Sequence, residues 1–554
     1  MLRALASAGP TATHGRRSGF AALVAAGILL SRLAGLVRER VFAHYLGSSA
    51  AADAFKAALK IPNFLQNLFG EGVLSASFIP VYASLLERGD DERLAGRVAG
   101  VFVSLLALGV SVLVLLGVLL TPWLLDLIAP GFSGEVRLLT IRIVRVLFPG
   151  TGLLVISAWC LGVLNSHHRF FLSYVAPVLW NAAMIATLVA LGARLAQADL
   201  AVALAWGTVA GSALQLGVQL PFVFRHARHL SFGLDRQVEA VREIFRNLVP
   251  VVVSRGVVQL SAYVDQMIAS YLPAAAVSSL AYAQTIYLLP VSLFGMSVAA
   301  AELPAMSRSA GAGDDWAAAV RRRLDRGLRQ IAFFVVPTVL AFASIGRLLV
   351  AALFQTGRFG ADQTAYVWYI LVGSTVGMLA MTQGRLYSSA LYALRDTRTP
   401  LRFAIARVAL TAVLGLLFAF PLRFVLVAGA RALGLPLPAG VGGEAAMGTV
   451  GLTASAGVAA WLEFLLLRRA VQRRVGAAAL PAGYQLRLWS AAVLSAGVSL
   501  AADLAVGPAI AGWLPVRHVV EAALAGAVFA GSYFGATLAL GVPEAAATLK
   551  RLRR

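Results

Sequence analysis

The sequence is poor in charged residues and in cysteine, and both shortages exclude classes of protein. Only 13% of the 554 residues are charged, whereas soluble domains carry about 25%. No long polar stretch is left to form a soluble domain. The single cysteine, Cys160, excludes an internal disulfide and falls within an apolar run. The seven histidines are scattered and show no metal-ligand spacing.

The common signatures of catalytic and nucleotide-binding sites are also missing. No G-x-x-x-x-G-K-[ST] phosphate-binding loop occurs, and no Ser/His/Asp or paired-carboxylate pattern is found. We therefore expect no cofactor and no enzymatic activity. Any transport would be secondary, driven by a membrane potential or by a substrate gradient.

Apolar residues are abundant instead. They make up 59% of the chain, and the mean hydropathy is +0.81. About fourteen apolar runs reach the length of about 20 residues that a helix needs to cross a hydrocarbon core of about 30 Å. The sequence predicts an all-α polytopic membrane protein with about 14 transmembrane helices.

The net charge of +22 could indicate a nucleic-acid partner, but the positions of the basic residues argue against it. When the runs alternate across a membrane, 30 of the 47 basic residues fall on the side of the termini, 6 on the other side and 11 inside spans. Positive loops face the cytoplasm. We expect a multi-pass protein of a bacterial inner membrane with both termini cytoplasmic. Residues 225–246 and 308–329 would lie inside, facing anionic membrane lipids, and 423–445 outside.

Two stretches look like one unit used twice. The run Leu68–Val73 continues to Pro80, and the similar run Leu293–Val298 continues to Pro304. Chance similarity between apolar helices is the plain alternative. The repeat predicts two pseudo-symmetric six-helix bundles, residues 1–225 and 226–475, followed by two additional helices and a basic tail in 476–554. Secondary transporters bind substrate between such halves.

Basic residues outnumber acidic ones inside the predicted spans, eleven against six. An arginine at bilayer depth costs about 2.5–3.5 kcal/mol, so it normally faces a cavity or a partner. Internal salt bridges are one explanation, but the acids are too few to pair with every base. Binding of an anionic guest is the other explanation, because the planar guanidinium group of arginine can bind phosphate through two hydrogen bonds. Arg40, Arg347 and Arg407 are the candidates for snorkelling from helix ends.

The first helix carries the clearest pattern. Counted from Gly19 at 1.5 Å per residue, Arg32 lies about 20 Å and Arg38 about 29 Å into the span. Ser31, Gly35 and Arg38 share one helical face. The glycine would let a backbone or a large head group approach closely.

These residues also carry a resemblance to a known family. The motifs resemble the opening and a later signature of the MurJ/MviN lipid II flippases, of the multidrug/oligosaccharidyl-lipid/polysaccharide exporter superfamily. They are Ser31–Arg38, Asp53–Phe55, Ile61–Asn63, Phe69–Gly72, Phe78–Pro80 and Tyr392–Pro400. The resemblance implies export of undecaprenyl-pyrophosphate-linked peptidoglycan precursor from the inner to the outer leaflet by alternating access. It implies a lipid-linked anionic glycan as substrate, and other cell-wall synthesis proteins as candidate partners.

The substrate-binding residues follow from the resemblance and from the intramembrane charges together. The resemblance places six at family functional positions: Ser31, Arg32, Gly35, Arg38, Asp53 and Glu71. Four further polar residues of the spans complete the candidate site: Asn63, Arg255, Asp265 and Arg385.

Two departures from the family pattern matter for the cargo. The family usually has basic residues where this chain has Gln66 and Asn67, and it reads Tyr-Ala-Asp-Arg where Gln284 and Thr285 stand here. Arg255 could supply a substitute charge, or it could anchor its helix at the cytoplasmic interface. Asp265 could pair with Arg255 or bind a coupling cation. The two residues are ten positions apart, which on a helix is a rotation equivalent to about −80°, so their side chains do not share a face and direct pairing is not expected.

Three other functions stay open from the sequence. A paralogous exporter could carry another polyprenyl-linked glycan. A multidrug/cation antiporter of the same superfamily would need an acid-rich cavity, which the arginine surplus argues against. A membrane scaffold without transport activity is the third.

Overall fold

The structure, a computed structural model, describes residues 11–88, 92–167, 169–227, 229–235, 239–248, 252, 263–310, 315–510 and 517–552. Within these ranges the chain is helical, with short 3-10 and π turns and no named β-strand. The predicted all-α fold is confirmed.

Membrane spanning is confirmed by the length of the helices. Ten helices of the described chain are long and apolar enough to cross a membrane, or eleven if the bent pair Ala361–Thr375 and Met378–Ala393 is one span. Two further helices are outside that set, Thr11–Leu46 with 36 residues and Phe170–Leu191 with 22 residues. The exact count of fourteen stays a prediction.

The chain divides into two compact units, and the first comprises Met1–Leu46 and Ala50–Tyr263. Its named helices are α1 (Thr11–Leu46), α2 (Ala50–Phe69), α3 (Glu71–Arg88), α4 (Glu92–Leu119), α5 (Thr121–Ile128), α6 (Gly134–Ser166), α7 (Phe170–Leu191) and α8 (Gln197–His226). Helix α6 packs against α2, α3, α4 and α8, while α1 packs mainly against α7. The predicted divisions at residues 225 and 475 stay predictions.

Aromatic packing forms the core of the first unit. Phe78 stacks on Tyr82 and on Phe102, with ring centroids 5.2 and 5.0 Å apart. Trp159 and Cys160 of α6 are buried in the same cluster. Such burial stabilises each large side chain by about 1.5–3 kcal/mol.

The second unit comprises Gly47–Ser49 and Val264–Arg554. Its helices are α9 (Val264–Ala269), α10 (Ala276–Pro290), α11 (Ser297–Ala310), α12 (Trp316–Ser344), α13 (Gly346–Phe354), α14 (Ala361–Thr375), α15 (Met378–Ala393), α16 (Arg398–Ala419), α17 (Arg423–Ala432), α18 (Met447–Val475), α19 (Ala482–Ile510), α20 (Arg517–Ala539) and α21 (Pro543–Leu552). The last long pair, α19 and α20, pack on each other and on α12 and α13. A hydrogen bond of 2.9 Å from Tyr533 Oη to the carbonyl of Phe333 joins α20 to α12.

Both copies of the Leu-Phe-Gly motif interrupt a helix. In the first copy α2 ends at Phe69 and α3 begins at Glu71, so Gly70 lies at the break. In the second, a π-helical turn, Val291–Met296, separates α10 from α11. A Cβ on Gly70 would lie 2.3 Å from the carbonyl oxygen of Gln66, so only glycine fits there.

Candidate functional site

A group of three charged side chains lies between α1 and α2 of the first unit. Arg38 Nη2 lies 2.6 Å from Glu39 Oε1, and Lys56 Nζ lies 2.5 Å from Glu39 Oε2. Glu39 thus accepts a charge-assisted hydrogen bond at each oxygen. We call Arg38, Glu39 and Lys56 the ionic trio.

Aromatic rings hold both cations of the ionic trio. The Arg38 guanidinium lies 5.0 Å from the ring centroid of Trp180 on α7, and Lys56 Nζ lies 4.3 Å from that of Phe42. The ring quadrupole attracts each cation and fixes its position without cancelling its charge. The trio therefore keeps two cations for one carboxylate, and its side chains are only 9–17% exposed.

The surroundings of the trio are also basic. From Ser31 to Lys60 the chain carries five Lys or Arg and two carboxylates, those of Glu39 and Asp53. Asp53 is buried on α2 at 3% exposure, one turn before Lys56. The predicted salt bridges and the predicted surplus of positive charge both exist here. One carboxylate pairs with two bases, and a positive balance remains.

The other predicted residues of α1 have different surroundings. Ser31 and Gly35 are half-buried, whereas Arg32 is exposed and has no ion pair within the described chain. An added Cβ at Gly35 would meet only Asn181 Oδ1, at 4.0 Å. Within the described chain no other backbone packs closely against Gly35, and the space beside it is open, as a large head group would need.

On α2, the polar residues follow one stripe. Lys56, Lys60 and Asn63 are half-buried, and Asn67 is exposed at the end of the helix. Their spacings of four, three and four residues put them on one face. Glu71 is the first residue of α3, but its side chain lies outside the described part of the structure, and so does the whole of Arg255.

The second unit contains its own charged group. Arg407 Nε on α16 lies 2.8 Å from Glu463 Oε2 on α18, so Arg407 is paired rather than snorkelling. Arg385 of α15 lies within electrostatic range of both. Tyr287 lies within range of Arg385, Arg407 and Asp265. Tyr287 thus lies near two of the predicted residues, Asp265 and Arg385.

Glu39 and Trp180 were not predicted as site residues; Glu39 was only one of the six acids inside the predicted spans. A signal for Glu39 existed. The chain turns between α1 and α2 at Gly47–Ser49, and Glu39 and Lys56 lie nearly equally far before and after that turn. Residues equidistant from the turn of a helical hairpin lie at the same height. Nothing in the sequence pattern pointed to Trp180.

Comparison with known proteins gives one consistent family. A family model described as "Lipid II flippase MurJ" matches residues 42–442. A probable lipid II flippase MurJ of Haemophilus influenzae is 31% identical over 428 residues, covering 74% of this chain and 82% of that protein. The lipid II flippase MurJ of Burkholderia cenocepacia is 30% identical, covering 80% and 82%.

Solved structures agree on the fold. The lipid II flippase MurJ in an inward closed conformation has a TM-score of 0.71 at 20% identity, covering 94% of this chain and 99% of that one. An inward-facing multidrug resistance transporter of the MATE family and the MOP superfamily has a TM-score of 0.59 at 17% identity, covering 80% and 95%. At these identities the likeness concerns the fold alone.

Proposed function

Because the chain belongs to the MurJ family of lipid II flippases, we propose that it moves lipid II from the inner to the outer leaflet by alternating access. The observation that carries this proposal is the ionic trio, a net positive and largely buried group between α1 and the membrane-spanning α2. The pyrophosphate of a lipid-linked glycan is the anion that it would bind.

The chemistry of the trio suits exchange of one anion for another. Glu39 holds Arg38 and Lys56 in place while the site is empty, which lowers the cost of keeping two cations inside the membrane. An arriving pyrophosphate offers more oxygen acceptors than one carboxylate and can bind Arg38 bidentately. Release on the other side would restore the contacts with Glu39. The site therefore binds its anion without leaving cations unpaired between cycles.

The direction of transport rests on topology. The basic connectors 225–246 and 308–329 would face the cytoplasm of a bacterium, with both termini on that side. Cargo would then enter from the cytoplasmic leaflet, where it is made. Other cell-wall synthesis proteins are the natural suppliers and consumers of such a cargo.

The test of the proposal is complementation of a conditional flippase-depletion strain with the full chain. Growth at normal cell shape is expected with the wild type and with Arg137→Met, whose exposed pair with Asp126 lies elsewhere in the first unit. Arg32→Ala and Arg38→Ala should fail to complement at normal protein levels. Failure of the wild type at normal membrane levels, or full complementation by both arginine variants, would contradict it.

A further inference from the structure

A polar pocket of about 280 Å³ lies within the first unit, among α2, α3, α6, α7 and α8. Its polar lining is formed by Gln66, Asn67, Ser157 and Gln215, and none of its described lining residues is charged. Polar side chains inside membrane-spanning helices are costly and normally mark a functional site. This amide pocket takes no part in the ionic trio.

Hydrogen bonds orient one wall of the amide pocket. Gln215 Nε2 donates to Ser157 Oγ at 2.9 Å, and Ser157 Oγ donates to Gln219 Oε1 at 2.7 Å. The chain of bonds fixes Gln215 so that its amide oxygen is left as an acceptor. On α2, no hydrogen bond to the side chains of Gln66 or Asn67 is found within the described chain, so both amides can bond to a guest.

The composition of the lining selects the kind of guest. Each amide offers two donors and an acceptor, which matches groups that both donate and accept, such as hydroxyls and other amides. An anion would call for a cation, and a cation for a carboxylate; the described lining residues include neither. Leu154, Leu161 and Pro177 add an apolar surface. A ring with hydroxyl or amide substituents and an apolar face fits this lining.

We propose that the amide pocket binds a sugar ring of the lipid-linked glycan. The inference rests on the proposed function, and the geometry of α2 joins the two sites. Gln66 follows Lys56 by ten residues, which is about 15 Å along a helix. One cargo molecule can then place its pyrophosphate at the ionic trio and a sugar at the amide pocket. The trio recognises the charge, and the amides recognise the glycan.

The break at Gly70 positions the amides. Helix α2 ends at Phe69, so Gln66 and Asn67 occupy its last turn, next to the start of α3. The carbonyl of Gln66 approaches Gly70 so closely that no other residue fits. The pocket thus depends on an interruption of the helix that is built into the backbone.

The experiment uses the full chain in lipid nanodiscs and two probes, undecaprenyl pyrophosphate and lipid II. Binding is measured by tryptophan fluorescence for the wild type, for Gln66→Leu combined with Asn67→Leu, and for Gln485→Leu as a matched control. Gln485 lies on α19 of the second unit, and in the described part of the chain its side chain donates a hydrogen bond to the carbonyl of Leu480. Should the double variant fold poorly, Gln215→Met removes the same kind of contact from another helix.

We expect the double variant to bind lipid II about tenfold more weakly and undecaprenyl pyrophosphate as the wild type does. Equal weakening for both probes would show that the amides only support the fold. No change for either probe would show that the pocket holds water only; both results overturn the inference while the proposed function stands. If the wild type binds neither probe, the proposed function fails and the inference fails with it.

Discussion

The ammonium nitrogen of Lys56 lies 2.5 Å from Glu39 Oε2, and this contact links α2 to α1. The two helices pack mainly against other partners, α1 on α7 and α2 on α6. The pair therefore joins two separately held helices, and a guest that displaces Glu39 loosens that link. Displacement of Glu39 by the proposed cargo would therefore couple binding to conformation, as alternating access requires.

Substitutions in the ionic trio should change anion affinity in opposite directions. Lys56→Met removes a cation and should weaken binding of undecaprenyl pyrophosphate about tenfold, the effect of one lost charge-assisted hydrogen bond. Glu39→Gln removes the competing carboxylate and should strengthen binding of undecaprenyl pyrophosphate. Both should lower the melting temperature, because breaking a buried ion pair costs about 3–5 kcal/mol.

Nanodisc binding and thermal unfolding measure the two effects together. Arg137→Met is the control, since its ion pair with Asp126 is exposed. If Glu39→Gln and Lys56→Met weakened anion binding alike, the trio would be a structural ion pair and not a binding site.

The pair of Arg407 and Glu463 should stabilise the second unit. Glu463→Ala leaves Arg407 without its 2.8 Å partner and should lower the free energy of unfolding by about 2 kcal/mol. The double variant Arg407→Met with Glu463→Met should recover most of that loss, because no uncompensated charge remains. Thermal unfolding in detergent provides the comparison; strictly additive effects of the two single changes would argue against a coupled pair.

Substitution by alanine should affect stability differently at two glycines. A Cβ on Gly100 would lie 2.3 Å from the carbonyl oxygen of Ser231, so Gly100→Ala should destabilise the first unit by about 1–3 kcal/mol. Gly35→Ala has room and should leave the melting temperature unchanged or raised, since alanine favours the helix. If the open space beside Gly35 admits cargo, Gly35→Leu should reduce transport in a stably folded protein. A lower melting temperature for Gly35→Ala would contradict the open space.

Asp396 should make stability depend on acid pH. Its carboxylate accepts hydrogen bonds from the backbone N–H and hydroxyl of Thr399 and an ion pair from Arg474, and these contacts lower its pKa to about 2. A lowered pKa in the folded state adds stability that is complete above the ordinary value of 3.8 and is lost as the pH falls toward 2. Asp396→Ala should lower the melting temperature at pH 7, and the difference from wild type should shrink between pH 4 and pH 2. A constant difference over that range would exclude the charge as its cause.

Topology can be tested by labelling single cysteines in intact cells. The native Cys160 is buried, so it should give no background signal with a membrane-impermeant maleimide. Leu433→Cys, in the segment 423–445 and highly exposed, should be labelled from outside. Arg322→Cys, in the basic connector 308–329, should be labelled only after the membrane is opened. Labelling of Arg322→Cys in intact cells would overturn the predicted orientation.

The general class of the protein was decided by the sequence alone. Long apolar runs can be satisfied only by helices in lipid, because each backbone group must find its hydrogen-bond partner inside the segment. The excess of arginine over acid near Arg32 and Arg38 already indicated an anionic guest. The motifs from Ser31 to Pro80 identified the family that the comparisons confirmed.

Tertiary structure decided which charges meet. Helical periodicity tells which residues share a face, but not which helix packs against that face. The turn at Gly47–Ser49 brings Glu39 and Lys56 to the same height, whereas Arg407 meets Glu463 only because α16 packs on α18. The amide pocket likewise draws its polar wall from α2, α6 and α8. Such contacts join residues far apart in the chain, and their energies depend on distances that only the packed helices set.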